Sequence, residues 1–316
     1  YNKDDSLFMK FAKVFLDKDN LVRANRRKCE VLDDSDVQLF NELWGYLLLL
    51  VLRLDKSRLI YVWLNNRIKN SFGKKVARYA IKHKVDAVIC YDANSEVCFK
   101  YLEQKAPHII RIMDNAAVAR NYLFTIFEKS RNNDGDFVKT YQSYNYLIDK
   151  ESSETFTTEL KLANFHIVAS SFTEKSLIFN GISEQNIIKV PYGVDLEKFK
   201  PSLKTEFDKI NILFVGSFDQ RKGIRQVLET AKEINNPKII FSLIGSGKNT
   251  FPELFNEFSS YVNFIDPLPF HKMPIEYAQN DLLVFPSLGD GFGLVILEAM
   301  ASGLPVIASQ NCAGPD

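Results

Sequence analysis

Nine short runs rich in β-branched residues recur along this chain, each followed by a longer helical pattern. They are AVICY (87–91), HIIRI (108–112), HIVAS (166–170), IIKVP (187–191), NILFVG (211–216), IIFSLIG (239–245), VNFI (262–265), LLVFPS (282–287) and LPVIAS (304–309). Strands alternating with helices predict right-handed β-α-β units on parallel sheets. The runs are nearly continuous in apolar character, which fits strands covered on both faces.

A chain of 316 residues suits two domains of ~150 residues each. The rhythm breaks at PYGVDLEKFKPSLKTEFDK, between Val190 and Lys209, and a clean strand follows. This places the boundary near Lys200, giving residues 1–199 and 200–316 as two doubly wound α/β domains in tandem. Before Asp86 the pattern is poorer: residues 4–17 suit an amphipathic helix, 29–33 a strand and 36–54 a helix. No strand precedes the first helix, and the chain opens on Tyr1 and ends in NCAGPD just after a strand pattern, so a piece cut at both ends is expected.

The formal charge of +1 names no partner. Cys29, Cys90, Cys98 and Cys312 are scattered without a C-x-x-C pair, which argues against a disulfide framework or a zinc site and for a reducing, cytoplasmic compartment. His83, His108, His166 and His271 lack paired ligand spacing, so no metal is expected, and His166 inside an apolar strand suits a hydrogen-bonded core histidine. The longest apolar run, Tyr46 to Leu52, falls far short of the ~20 residues of a membrane span. No G-x-S-x-G elbow, G-x-G-x-x-G fingerprint or nucleic-acid signature is present.

Ligands of open parallel sheets bind beyond the carboxyl ends of the strands, so the residues just after each run are the candidate chemistry. After LLVFPS comes LGDGFGLVILEAM, a glycine loop expected to lead into a helix N-terminus, a ready anion site. Asp290 and Glu298 are roughly two turns apart, too far to share a proton but suited to gripping two hydroxyl-bearing parts of one ligand. Gly303 ends the helix as its C-terminal cap, and the competing reading is a capping acid and a solvated helix glutamate. After NILFVG, Arg221 and Lys222 stand at a strand-to-helix turn where cations would face a phosphate, although such residues are often merely solvated. Gly245, Gly247 and Lys248 after the next strand make a partial phosphate-loop pattern that reads mainly as a tight turn. Asp114, at the end of a first-domain strand, is either an N-cap or a cleft residue. Residues 56–85 hold nine Lys and Arg and no acid, with Phe72, Val76 and Ala80 as an apolar stripe at helical spacing. Such a segment suits peripheral contact with an anionic membrane or, equally, a core-facing stripe with a solvated basic face.

From about Glu159 to Asp316 the chain resembles the family 4 retaining glycosyltransferases. The resemblance rests on ordered motifs: ELKLANFHIVASSF, IIKVPYGVDLEKF, ILFVGSFDQRKG, LIGSGK, MPIEYAQNDLLVFPS and GFGLVILEAMASGLPVIAS. It implies the GT-B fold, two Rossmann-like domains facing across a cleft, with the acceptor on residues 1–199 and the donor on 200–316. It further implies transfer of a sugar, with retention and without a metal or other cofactor, from a UDP- or GDP-linked donor to a hydroxyl of a glycan or glycolipid. By the same resemblance Glu298 grips the donor ribose, Asp290 contacts the sugar, the amides of Gly291, Phe292, Gly293 and Leu294 cradle the diphosphate, and Lys222 stabilises the leaving phosphate. Gly216, Ser217, Arg221 and Gly245 complete the donor site, and Asp114 is a candidate cleft residue.

Three departures stand out. The family usually has Glu in place of Asp290, Arg in place of Ser217, and a His-Asp pair where this chain has Met113-Asp114. Ser217 and Met113 leave a rival reading, a GT-B scaffold or binding subunit without activity. A nicotinamide dehydrogenase on the same architecture lacks its glycine fingerprint here.

Overall fold

A computed structural model describes residues 33–55, 57–92, 94–144, 150–202 and 208–316. The expected elements at 4–17 and 29–33 lie outside the described residues, apart from Asp33. The described residues form two compact units, one within 33–88 and 94–109 and the other within 89–92 and 110–316.

In the smaller unit, α1 (Glu42–Leu54) and α2 (Leu59–Lys82) are joined by a short turn, and α3 (Glu96–Lys105) packs on α2. The packing face of α2 is made of small residues. Gly73, Ala77 and Ala80 are buried, and a Cβ on Gly73 would sit 2.9 Å from Val97 Cβ. Of the expected stripe, Ala80 is therefore a core residue while Phe72 stays exposed. The helix expected over 36–54 begins only at Glu42, because residues 34–36 form a 3-10 turn and Asn41 takes a left-handed φ of 58°.

The strands follow as β1 (Ala87–Tyr91), β2 (Ile110–Asn115), β3 (Phe165–Val168) and β4 (Ile187–Lys189), in sheet order β1-β2-β3-β4. Strands β2 to β4 pair in parallel, with Ile112 opposite Phe165 and His166 opposite Ile187. Helices α4 (Arg120–Arg131), α5 (Lys150–Leu162) and α6 (Ser171–Phe179) connect them. His166 is the expected core histidine: it is buried, its Nδ1 lies 3.3 Å from Asn115 Nδ2, and burial pushes its pKa down to about 4.

The second sheet contains β5 (Ile210–Val215), β6 (Ile239–Ile244), β7 (Val262–Ile265), β8 (Leu282–Phe285) and β9 (Val306–Ala308), in order β7-β6-β5-β8-β9. All its pairings are parallel. Helices α7 (Ile224–Ile234), α8 (Pro252–Asn256), α9 (Met273–Gln279) and α10 (Leu294–Ala301) belong to its connections.

Side chains alternate across a strand, and β5 shows what that does here. Ile212 and Phe214 join a core with Val227, Leu228, Phe255 and Phe258, whereas Leu213 joins a second core with Phe199, Tyr277 and Leu283. Both faces are thus covered, as the continuous apolar runs predict. Phe199, beside the interruption near Lys200, is anchored in that second core with its ring 5.8 Å from Tyr277. Phe137, from a 3-10 segment at 135–144, enters the opposite core with Phe255 and Phe258.

Candidate functional site

The strand order fixes where a ligand can lie. From β5 the chain moves outward through β6 and β7, then returns to place β8 on the other side of β5. Connections therefore leave in opposite directions at the carboxyl ends of β5 and β8, the crevice in which open α/β sheets hold ligands. The motif residues Ser217 to Lys222 follow β5, and Asp290 to Gly293 follow β8.

The turn after β5 is built to present Lys222. Asp219 Oδ1 accepts from the Lys222 backbone N–H at 3.3 Å, closing the 3-10 turn Gln220–Lys222, and Ser217 Oγ donates to Asp219 Oδ2. Gly223 then reverses the chain at φ 73°, pressed so closely on the loop after β8 that a Cβ would fall 2.1 Å from the Pro286 carbonyl oxygen. Backbone bonds join the two segments: Leu288 N–H and Ser287 Oγ donate to the Arg221 carbonyl, at 2.7 and 3.0 Å. Gly245 serves the same closeness after β6, since a Cβ there would sit 1.8 Å from the Gly216 carbonyl oxygen.

Lys222 and Asp290 consequently meet. Lys222 Nζ donates to Asp290 Oδ2, Arg221 Nη1 lies 3.9 Å from the same oxygen, and Arg221 also donates to the Gly289 carbonyl at 3.3 Å. The Lys222 ammonium lies 5.2 Å from the centre of the Phe285 ring. Behind the loop, Asp290 N–H donates to the Asn311 carbonyl and Ala313 N–H to the Phe292 carbonyl, both at 2.9 Å. Residues 311–313 thus buttress it.

The helix does not open on the acid. Asp290 stays in the loop, where its Oδ1 accepts from the Phe292 N–H at 3.3 Å, and α10 starts at Leu294 after Gly293 at φ 87°. The first N–H groups of a helix have no partner inside it and carry its positive end, so those of α10 lie one short loop from Lys222 and Arg221. Glu298 stands mid-helix, and the buried Tyr277 of α9 donates to its Oε2 at 2.6 Å. Burial first, then the Glu298 charge, drives the Tyr277 phenol far above its ordinary pKa, so it remains a donor. The far end of α10 matches the expected glycine cap: Gly303 takes φ 81°, its N–H donates to Met300 and Leu304 N–H donates to Ala299.

The remaining candidates separate in kind. Gly216 lies beside the Lys222 stem, where a Cβ would stand 3.7 Å from Lys222 Cγ, an ordinary contact. Phe292 is packed inward with Ala169 and Ala313, its ring 5.1 Å from Tyr192, while Leu294 is about half exposed. Lys248 covers the Phe264 ring at 4.7 Å, in keeping with a turn. Gly291 presses on the end of the first sheet: its carbonyl accepts from Ser170 Oγ at 2.5 Å and Thr173 Oγ1 at 3.0 Å, and a Cβ would sit 2.3 Å from the Ala116 carbonyl oxygen.

Asp114 is the penultimate residue of β2 and stands beside an acid that the motif reading passed over. Asp92, just beyond β1, donates its N–H to the Asp114 carbonyl at 3.1 Å and accepts from the Ala117 N–H at 3.2 Å. Burial raises the pKa of both carboxyls, and Asp114 adds to the rise at Asp92. The signal was available, since Asp92 occupies the same post-strand position that singled out Asp114. A second omission is Asp134. Buried, it accepts from Tyr141 and from Gln220 Nε2, each at 2.8 Å, while Gln220 N–H donates to Thr140 Oγ1 at 2.9 Å. This network fastens residues 134–141 to the turn carrying Arg221 and Lys222.

The two parallel-sheet α/β domains have the GT-B class of fold. Sucrose-phosphate synthase from Thermosynechococcus elongatus has a similar structure, with a TM-score of 0.58 and 21% identity over 78% of this chain and 61% of that one. Residues 209–316 match the family Glycosyl transferases group 1. Among curated proteins, the chain is 36% identical over 161 residues to an uncharacterized 41.2 kDa protein in the cps region of Klebsiella pneumoniae, covering 48% of this chain and 44% of that protein. It is 30% identical over 171 residues to sulfoquinovosyl transferase SQD2 of Arabidopsis thaliana, covering 49% and 32%. The chain thus spans less than half the length of these relatives.

Proposed function

We propose that the chain belongs to a retaining glycosyltransferase that moves a sugar from a nucleotide-diphosphate donor, UDP- or GDP-linked, to a hydroxyl of a glycan, polysaccharide or glycolipid. One observation carries the reading: Lys222, Arg221 and Asp290 converge at the β5/β8 switch point, beside the N-terminus of the helix that holds Glu298.

The chemistry follows from charge. As the glycosidic bond to the donor breaks, negative charge grows on the departing diphosphate. Once donor binding has drawn Asp290 from Lys222, the Lys222 ammonium, the Arg221 guanidinium and the α10 amides stand ready to receive that charge. Asp290 faces the sugar and exchanges its contact with Lys222 for sugar hydroxyls. Glu298, with one oxygen held by Tyr277, turns the other to the ribose hydroxyls as a charge-assisted acceptor. Residues 200–316 supply this donor site and residues 1–199 the acceptor side, with Asp114 at its edge. Neither a metal nor another cofactor enters the scheme.

The test is turnover of a nucleotide-sugar panel by the full-length protein, following donor hydrolysis and transfer. Activity with one donor that Lys222→Ala removes supports the reading. Equal turnover in wild type and Lys222→Ala would end it, and binding without turnover by the wild type would favour a scaffold.

A further inference from the structure

Both tryptophans of the chain, Trp44 and Trp63, are more than half exposed. They lie on α1 and α2, which fold back on one another: Asn41, just before α1, donates to the Ile68 carbonyl at 3.2 Å and accepts from Lys75 Nζ at 2.6 Å. Asp55 ties the intervening turn, accepting from Ser57 Oγ at 2.7 Å and Tyr61 N–H at 2.9 Å. On either side of that turn Leu54, Leu59 and Ile60 are 72%, 75% and 60% exposed, and Val62 and Leu43 are exposed as well. The core does not require these side chains, because α2 packs on α3 through Gly73, Ala77 and Ala80. Large apolar side chains exposed together in this way are the pattern of an interaction site.

Charge selects the partner. Residues 42–83 contain nine Lys and Arg against two acids, in a chain whose formal charge is only +1. Arg58, Arg67, Lys69, Lys74, Lys75, Arg78 and Lys82 are exposed, and the Arg67 guanidinium lies over the Trp63 ring at 5.0 Å. A second copy would set two strongly basic faces against each other. An anionic bilayer attracts the charges, takes large apolar side chains into the acyl boundary and holds tryptophan at the headgroup level. Among the described residues no helix is long and apolar enough to cross a membrane, so the contact is peripheral.

We infer that the α1–α2 hairpin docks the protein on an anionic lipid surface, with Leu54, Leu59, Ile60 and Trp63 entering the interface and Arg58, Arg67 and Lys69 held at the headgroups. The inference uses no residue of the donor site and stands whether or not transfer is found. Because Trp44 and Trp63 are the only tryptophans of these 316 residues, the tryptophan emission of this chain reports this surface alone. With vesicles of phosphatidylcholine and phosphatidylglycerol in equal parts, emission should shift to the blue, brominated lipid should quench it, and high salt should reverse both. Pure phosphatidylcholine should leave emission almost unchanged.

Arg67→Glu with Lys69→Glu should weaken partitioning by roughly fivefold per charge removed. Leu59→Ser with Ile60→Ser should weaken it by roughly tenfold or more, and sedimentation of the pelleted vesicles gives an independent reading. No shift and no quenching with saturating anionic vesicles would overturn the proposal. So would equal binding to both vesicle types, or a lipid-free dimer that Leu59→Ser with Ile60→Ser dissociates. The quenching arm needs no variant and so does not depend on how the substituted chains fold.

Discussion

The carboxyl ends of the two sheets handle their acids in opposite ways. In the second sheet Asp290 is matched by Lys222 and approached by Arg221, beside the positive end of α10. In the first sheet Asp92 and Asp114 are neighbours, and burial raises the pKa of both. On the function proposed above, a diphosphate with two or more negative charges would need the first environment, and a neutral, hydroxyl-rich acceptor would suit the second, where carboxylates can accept from hydroxyls. The contrast teaches that position after a strand locates a site, while the surrounding charge decides what that site can hold.

The sharpest way to break the contrast is to remove its cation. Lys222→Ala should lower turnover of the full-length protein by roughly 10²–10³, the range found when one preorganised transition-state donor is deleted. Steady-state kinetics checks this, and Asp92→Asn should cause a much smaller loss. Next in size is Gly223→Ala. It places a Cβ 2.1 Å from the Pro286 carbonyl oxygen at φ 73°, combining left-handed backbone strain with a backbone clash, and should cost about 2–4 kcal/mol in denaturant unfolding.

Tyr277→Phe removes the 2.6 Å donor to Glu298. A hydrogen bond to a charged group contributes about 1.5–3 kcal/mol, so donor affinity should fall by roughly ten- to a hundredfold by calorimetry, with the fold retained.

The smallest effect concerns pH. The folded pKa of Asp92 is raised mainly by burial. Its contribution to stability is therefore fully present below the unfolded value near 3.8 and lost as pH rises through the folded value. Asp92→Asn removes that loss, so it should raise Tm slightly at neutral pH and leave Tm unchanged near pH 3. An increase of equal size at both pH values would contradict a titration origin.

How much of this was legible in the sequence varies with the range of the interaction. VNFI at 262–265 is a strand with those bounds, since apolar burial on both faces is a local pattern. The strand expected at 108–112 instead runs over 110–115, because Asp114 and Asn115 keep the ladder despite their polarity, opposite Ile167 and Val168. The glycine loop and its two acids were visible as a motif. That Asp290 would stay outside the helix and cap the Phe292 N–H was not, because it depends on Gly293 adopting a left-handed conformation. Tyr277 and Asp134 escaped for a different reason. Each acts on the site across a long sequence interval, Tyr277 on Glu298 and Asp134 on Gln220, and no spacing rule links such residues.

The central claim is that a nucleotide-diphosphate donor binds at the β5/β8 switch point. Titration calorimetry of the full-length protein with UDP- and GDP-sugars, for wild type, Glu298→Ala, Lys222→Ala and Asp92→Asn, tests it most directly. The account predicts saturable binding of one donor class, weakened at least tenfold by each of the first two substitutions and kept within about twofold by the third. Donor affinity that survives both Glu298→Ala and Lys222→Ala unchanged would contradict it.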